Sequence, residues 1–365
     1  MTKAVHEIPV VYACNATYVP YLYISIASLV QNLDPAWKAR VRVLHDDIAA
    51  EEMEAVRSLG SERVDIAFVD VNDTLLKYDG VDFAVGYHFT KQTYYRFFLP
   101  EIFPEWDTIL YLDADTLVLH DVAELYAGVE LADALLGVTR DLEILRASHL
   151  LGAAYEDYFT QTLEVQPEVY FQAGVMLMNL AQMRAEGTTQ KLVQGLQKIG
   201  APLYVDQDVL NMVCKGRVRY VAQNWDYTWH LPLVDARYAE HLGAPYGEMY
   251  DAARKEPYIV HYTGKGMKPE NYPMLPEAVR FWEFADRSPY ADMLREKSRQ
   301  GWKTVEKRIQ KLKAKVRKNR FLSKLPLGKK LRAKFALRCE RKEEELEALR
   351  CCGIPGISKK CPLDH

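Results

Sequence analysis

Apolar and polar positions along this chain fall into two rhythms, and their order predicts an architecture. Pro9 to Cys14, Val41 to Leu44 and Val64 to Val71 are short apolar runs rich in strand formers, as in strands covered on both faces. Between them, Leu22, Ile26, Leu29 and Leu33 recur at steps of three and four, predicting a helix from about Pro20 to Asn32. Ala49 to Leu59 is expected to form a second helix. Pro20 suits a first helical turn, where a missing N–H costs little. This strand–helix alternation predicts an α/β fold, a Rossmann-like doubly wound and mainly parallel sheet with helices on both faces. Further along, Gln92 to Phe98 reads as a helix closed by Pro100, and Leu135 to Val138 as a strand ending at Thr139-Arg140-Asp141. Tyr170 to Leu180 reads as a strand entered through Gln172-Ala173-Gly174, Leu192 to Ile199 as a helix, and Tyr258 to Thr263 as a late strand. Thr74 to Gly86 carries no clear period.

The most informative run is Ile109-Leu110-Tyr111-Leu112, which ends abruptly in Asp113-Ala114-Asp115. In an extended chain, residues two apart point the same way. Asp113 and Asp115 are then expected to project together from a strand's carboxyl end, where open α/β sheets hold ligands. Two adjacent carboxylates repel unless a cation lies between them, and Mg²⁺ or Mn²⁺ suits such oxygen donors. Solvated aspartates at a strand end are the plainer alternative. Asp206-Gln207-Asp208 precedes Val209, Leu210, Met212 and Val213, so it reads as the acceptor-rich start of a helix or as a simple cap. His261, within the late strand, reads by itself as structural. It is followed by Gly264-Lys265-Gly266-Met267-Lys268-Pro269, a basic loop suited to a phosphate. Arg96, alone among aromatics, is either a snorkelling surface residue or a contact to a diphosphate or ribose.

Charge changes the picture more than composition does. Hydrophobic residues make up 49% of the 365, enough for a sizeable core. The net charge of −3 conceals an asymmetry: residues 303–342 hold 17 basic and 2 acidic residues, a net of +15, leaving −18 elsewhere. Trp302, Val305, Ile309, Leu312 and Val316 form a narrow apolar stripe through this basic stretch, broken after it by Pro326 and Gly328. Residues 302–342 are therefore expected to lie on an anionic membrane surface. Packing on the rest of the chain, or a short coiled coil, is the alternative. No base-stacking platform accompanies the charge, so no nucleic acid is expected. The six cysteines give no disulfide framework, although Cys351, Cys352, Cys361 and His365 offer donors that a zinc ion would accept. No secretion signal or membrane span is read, since Val10 to Val30 is interrupted by Asn15, Thr17 and Pro20. The expectation is a cytoplasmic protein, peripheral on the inner face of the cytoplasmic membrane, with a domain over 1–285 and a basic helical tail over 286–365.

In order, Tyr-Ala-x-x-x-x-Tyr (Tyr12 to Tyr18), Thr-Tyr-Tyr-Arg, Ile-Leu-Tyr-Leu-Asp-Ala-Asp, Phe-Gln-Ala-Gly-Val-x-Leu-x-Asn-Leu, Asp-Gln-Asp-x-Leu-Asn and His-Tyr-x-Gly make the chain resemble the retaining glycosyltransferases of family 8 over roughly residues 8 to 285. That family includes bacterial lipopolysaccharide galactosyl- and glucosyltransferases and, more distantly, glycogenin. The resemblance implies a GT-A fold binding a UDP-sugar with Mn²⁺ (or Mg²⁺), the metal held by Asp113, Asp115 and His261 around Ala114. It implies Tyr18 stacked on uracil, with Asn15 and the backbone at Ala13 on its edge. It implies Arg96, Asp141, Gln172, Ala173, Gly174 and Asp206 at the donor, with Gly264 and Lys268 at the diphosphate. Gln207 lies across the sugar as the expected catalytic residue, with Asp208 the alternative nucleophile. Three positions depart from the family pattern: Asn15 for a frequent Asp, Gln172 for a frequent Asn, and Glu270 for Trp after Lys268-Pro269. The implied function is transfer of galactose or glucose from UDP to a glycan or glycolipid hydroxyl with retention. A degenerate nucleotide-sugar-binding partner and a self-glucosylating glycogenin-like enzyme are the alternatives.

Overall fold

The computed structural model describes residues 6–83, 91–229, 237–264, 267–272, 275–326 and 328–351, in two compact units. Residues up to Tyr227 together with His241–His261 form the first; Thr228–Glu240 together with the chain from Tyr262 form the second.

Strands β1 (His6–Ala13), β2 (Trp37–His45), β3 (Val64–Asp70), β4 (Thr108–Leu112), β5 (Thr116–Val118), β6 (Leu136–Val138), β7 (Val175–Asn179), β8 (Val218–Tyr220), β9 (Tyr227–Thr228) and β10 (Ile259–His261) form two sheets. The large sheet runs β3-β2-β1-β4-β7-β6-β8. Its first half is the parallel, doubly wound array expected: β1 pairs with β2 in register Val10↔Val41 and with β4 in register Val10↔Leu110. The second half departs from it, because β7 runs antiparallel to both β4 and β6. Apolar runs buried on both faces look alike in either direction, so the sequence pattern does not carry this reversal. The small sheet, β5-β10-β9, begins immediately after the aspartate pair, where β5 pairs antiparallel with β10 and sets His261 opposite Thr116.

The β4 side chains Ile109, Leu110, Tyr111 and Leu112 are fully buried, as are Val10, Val11 and Tyr12 on β1. The sheet centre carrying Asp113 is therefore held by core packing. Pro100 does not close the helix before it. Lys91–Phe98 is a 3₁₀ run that passes into a helical turn, Leu99–Ile102, whose first positions accept the proline because no N–H is needed there.

In the second unit, helices Ala291–Lys324 and Lys329–Cys351 pack on one another, separated by the Pro326/Gly328 break. Ile309, Leu312 and Val316 are buried, and the Cys339 thiol reaches the Val316 carbonyl at 3.7 Å. Arg320 pairs with Glu343 across the two helices. This corrects the lipid-facing stripe: its described members face protein. The side chains of Trp302 and Val305, and residues 352–365 with three of the proposed zinc donors, lie outside the described residues. Among the described residues, no helix is long and apolar enough to cross a membrane.

Candidate active site

Asp113 and Asp115 do converge, but in a turn and not along a strand. β4 ends at Leu112, and the Thr116 N–H and hydroxyl both donate to the Asp113 carbonyl, at 3.3 and 2.9 Å. The next strand, β5, then brings β10 alongside, which delivers His261 from far along the chain. One donor atom each from Asp113, Asp115 and His261 lie within 4.8 Å of one another. His261 Nε2 is 3.7 Å from Asp113 Oδ2 and 3.4 Å from Asp115 Oδ1. A small divalent ion about 2.1 Å from each donor spans separations of about 3 to 4 Å, so two carboxylates and an imidazole so arranged fit Mg²⁺ or Mn²⁺.

Each member is held from behind. Asp113 Oδ1 accepts from Arg96 Nη2 at 2.6 Å and from the Tyr111 hydroxyl at 3.1 Å, which leaves Oδ2 facing the imidazole. Burial raises the Asp113 pKa, against the opposing pull of Arg96 and His261. The His261 Nδ1 lies 3.0 Å from Asp226 Oδ1. Burial alone would lower the imidazole pKa, but Asp226 and Asp115 outweigh it and hold the value well above its usual range. The ring lies against Gly174: a Cβ there would come within 2.1 Å of His261 Cε1. What needs the missing side chain at Gly174 is thus the imidazole itself. Nothing in the sequence pattern singles out Asp226. It sits in Asn224-Trp225-Asp226-Tyr227, 35 residues before His261, with no spacing or repeat to mark it.

Arg96 is not a surface residue. It is 4% exposed, bridges Asp113 and Asp206 (Nε to Oδ2, 3.1 Å), and stacks over the Tyr111 ring at 4.4 Å. It also donates to the Ala173 carbonyl, while Thr93 donates to Asp206. Ala114 is buried between Asp113 and Asp115.

The helix Val205–Cys214 presents Asp206, Gln207 and Asp208 in its first turn. Gln207 Oε1 accepts from the Ala173 amide at 3.0 Å, and Nε2 donates to Asp141 Oδ2 at 2.9 Å. Asp141 also caps the helix Leu142–Leu151 through the Glu143 and Ile144 amides, and burial pushes its carboxyl up to about 6. Asp208 is fully buried and accepts from the Tyr170 hydroxyl (2.6 Å), the Tyr158 hydroxyl (2.7 Å) and the Tyr204 amide (2.7 Å). Gln172 folds back so that its Oε1 accepts from the Ala173 and Gly174 amides. At the end of β1, Ala13 pairs with Leu44, and Asn15 Oδ1 caps the Ala16–Tyr18 turn by accepting from the Tyr18 amide at 3.1 Å. Tyr18 is half-buried, 5.6 Å from the Tyr21 ring. Gly264 and Lys268 belong to the second unit, where Gly264 adopts φ +97° and Lys268 Nζ donates to the Tyr262 carbonyl at 2.7 Å.

A half-parallel, doubly wound sheet with an acid pair at the end of its central strand, completed by a histidine from an adjoining small sheet, defines a GT-A glycosyltransferase. Residues 9–272 match the model described as Glycosyl transferase family 8, and the chain belongs to that family. It is 26% identical over 221 residues to a putative glycosyltransferase of Haemophilus influenzae, covering 60% of this chain and 63% of that protein. It is 24% identical over 208 residues to the lipopolysaccharide 1,2-glucosyltransferase of Escherichia coli, covering 56% of each. The chain thus spans less than two thirds of either relative. Among solved structures, an active-site glutamine-to-glutamate mutant of LgtC superposes with a TM-score of 0.63 at 26% identity, covering 77% of this chain and 96% of that one.

Proposed function

We propose that this glycosyltransferase moves a hexose, galactose or glucose, from a UDP-sugar to a hydroxyl of a lipid-linked or surface glycan, with retention at the anomeric carbon. The observation that carries this reading is the convergence of Asp113, Asp115 and His261 in a family 8 chain. The Escherichia coli relative, a lipopolysaccharide glucosyltransferase, supports the acceptor class. A divalent ion, Mn²⁺ or Mg²⁺, would supply Lewis acidity toward the departing diphosphate. Asp113 and Asp115 would hold it through Oδ2 and Oδ1, and His261 through Nε2. Asn15, Tyr18 and the Ala13 backbone are assigned to the uracil.

Gln207 supports a same-face route. Both ends of its amide are engaged, by Ala173 and Asp141, so it presents a fixed dipole near the sugar and makes a poor nucleophile. Asp208, the alternative nucleophile, has both oxygens committed to three donors and no exposed surface. That is the environment of an anchor. The acceptor hydroxyl then attacks from the side on which UDP leaves, and its proton passes to the departing phosphate oxygen.

Membrane attachment in this reading moves from the covered stripe to the bend between the two C-terminal helices. There Phe321 and Leu331 are exposed among Lys and Arg side chains, a combination suited to an anionic, inner-leaflet surface.

A thermal-shift screen of UDP-galactose and UDP-glucose, each with Mn²⁺ and with EDTA, tests the donor and metal together. One sugar nucleotide should stabilise the chain in Mn²⁺ and lose that effect in EDTA. Equal shifts in EDTA would remove the metal from the account.

A further inference from the structure

The imidazole of His261 is clamped more tightly than a metal ligand taken from a three-residue strand requires. Its Nε2 faces the two carboxylates, its Cε1 edge lies against Gly174, and its Nδ1 meets Asp226 at 3.0 Å. Asp226 has no exposed surface, and its second oxygen, Oδ2, has no hydrogen-bond partner among the described residues. A buried carboxylate is retained at such a place only if its charge is compensated locally. The group beside it is the ring, which hydrogen-bonds it and would relay the charge of an ion bound at Nε2.

We infer that Asp226 is a positioning residue for the metal site. A carboxylate accepts hydrogen bonds and cannot donate them, so the ring must present Nδ1–H to Asp226. With Nδ1 so occupied, Nε2 is the nitrogen left to face Asp113 and Asp115, and its lone pair would ligate an ion held there. Carboxylate partners of this kind fix a ligating histidine's tautomer and raise its basicity, and their loss weakens metal affinity by about 10–100-fold. Asp226 does this without touching the ion, since it reaches only the far nitrogen. Gly174 completes the arrangement sterically, because any side chain there would displace the ring. This inference rests on the metal reading proposed above.

The test is Mn²⁺ titration of the full chain in the presence of UDP, with free Mn²⁺ followed by electron paramagnetic resonance. Asp226→Ala should weaken Mn²⁺ binding about 10- to 100-fold. Asp226→Asn, whose amide oxygen can still accept from Nδ1–H, should recover most of the affinity. A folded Asp226→Ala protein that binds Mn²⁺ within about twofold of the unaltered chain overturns the inference but leaves the metal site standing. If the unaltered chain binds no Mn²⁺, the metal reading fails, and the inference with it. Should Asp226→Ala not fold, ¹⁵N spectra of the His261 ring in the unaltered, Mg²⁺-loaded protein decide. A protonated Nδ1 with an unprotonated Nε2 is expected, and the opposite tautomer refutes the assignment.

Discussion

Gly174→Ala is the sharpest perturbation that the site offers. The added Cβ would fall 2.1 Å from His261 Cε1, 2.6 Å from Nδ1 and 3.0 Å from Nε2, whereas ordinary contact begins at 3.4 Å. The ring would have to retreat by about 1.3 Å, the difference between 3.4 and 2.1 Å. Its retreat is blocked on the Nδ1 side by Asp226, which has no exposed surface. Gly174 does not occupy the left-handed region, so alanine adds no backbone strain, and the effect is confined to the collision. Overpacking of this size costs about 1–3 kcal/mol of stability. A ligand displaced by about 1 Å lowers turnover by about a hundredfold. On the function proposed above, the assay is Mn²⁺-activated release of UDP from the sugar nucleotide, measured beside urea unfolding of the same protein. Turnover within about threefold of the unaltered enzyme would refute the reasoning, because the ring would then have room that the geometry denies it.

Other consequences follow from neighbouring groups. Arg96→Ala strands the Asp113 and Asp206 carboxylates, and breaking a buried pair of this kind should destabilise the fold by about 3–5 kcal/mol in urea titration; a loss below about 1 kcal/mol would argue against a buried bridge. Asp141, pushed up to about 6 by burial from an unfolded value near 3.8, binds its proton more tightly when folded. Its contribution to stability is therefore fully present below about pH 4 and is lost as pH rises through 6. Asp141→Asn, which keeps a capping oxygen, should flatten the dependence of the melting temperature on pH between 4 and 6, and an unchanged slope would point to other groups. At Gly301 a Cβ would lie 1.7 Å from Asn271 Oδ1, so Gly301→Leu should lift the long C-terminal helix from the Pro269–Asn271 turn and increase proteolysis within that unit. Unchanged proteolysis would show that the two elements do not depend on each other.

Much of this molecule is legible along the chain, wherever information is local. The apolar runs of β1 to β4 and the amphipathic helix after β1 follow from periodicity alone, since burial on two faces or on one leaves different rhythms. The order of motifs brought Asp113, Asp115 and His261 to notice together, although only a resemblance joined the histidine to the acids. Folding decided what depends on partners distant in sequence. Asp113 and Asp115 meet through a turn stabilised by Thr116, whereas the sequence pattern predicts extended geometry. β7 reverses direction, which no apolar run can announce. Arg96 is buried between two acids 17 and 110 positions away, so its charge, which suggests a surface on its own, marks the interior. The stripe through Ile309, Leu312 and Val316 is covered by a second helix that composition presented only as more basic tail. Asp226 left no trace in the sequence, because a carboxylate that orients a histidine needs only to arrive within 3.0 Å of it, and only the packed chain sets that distance.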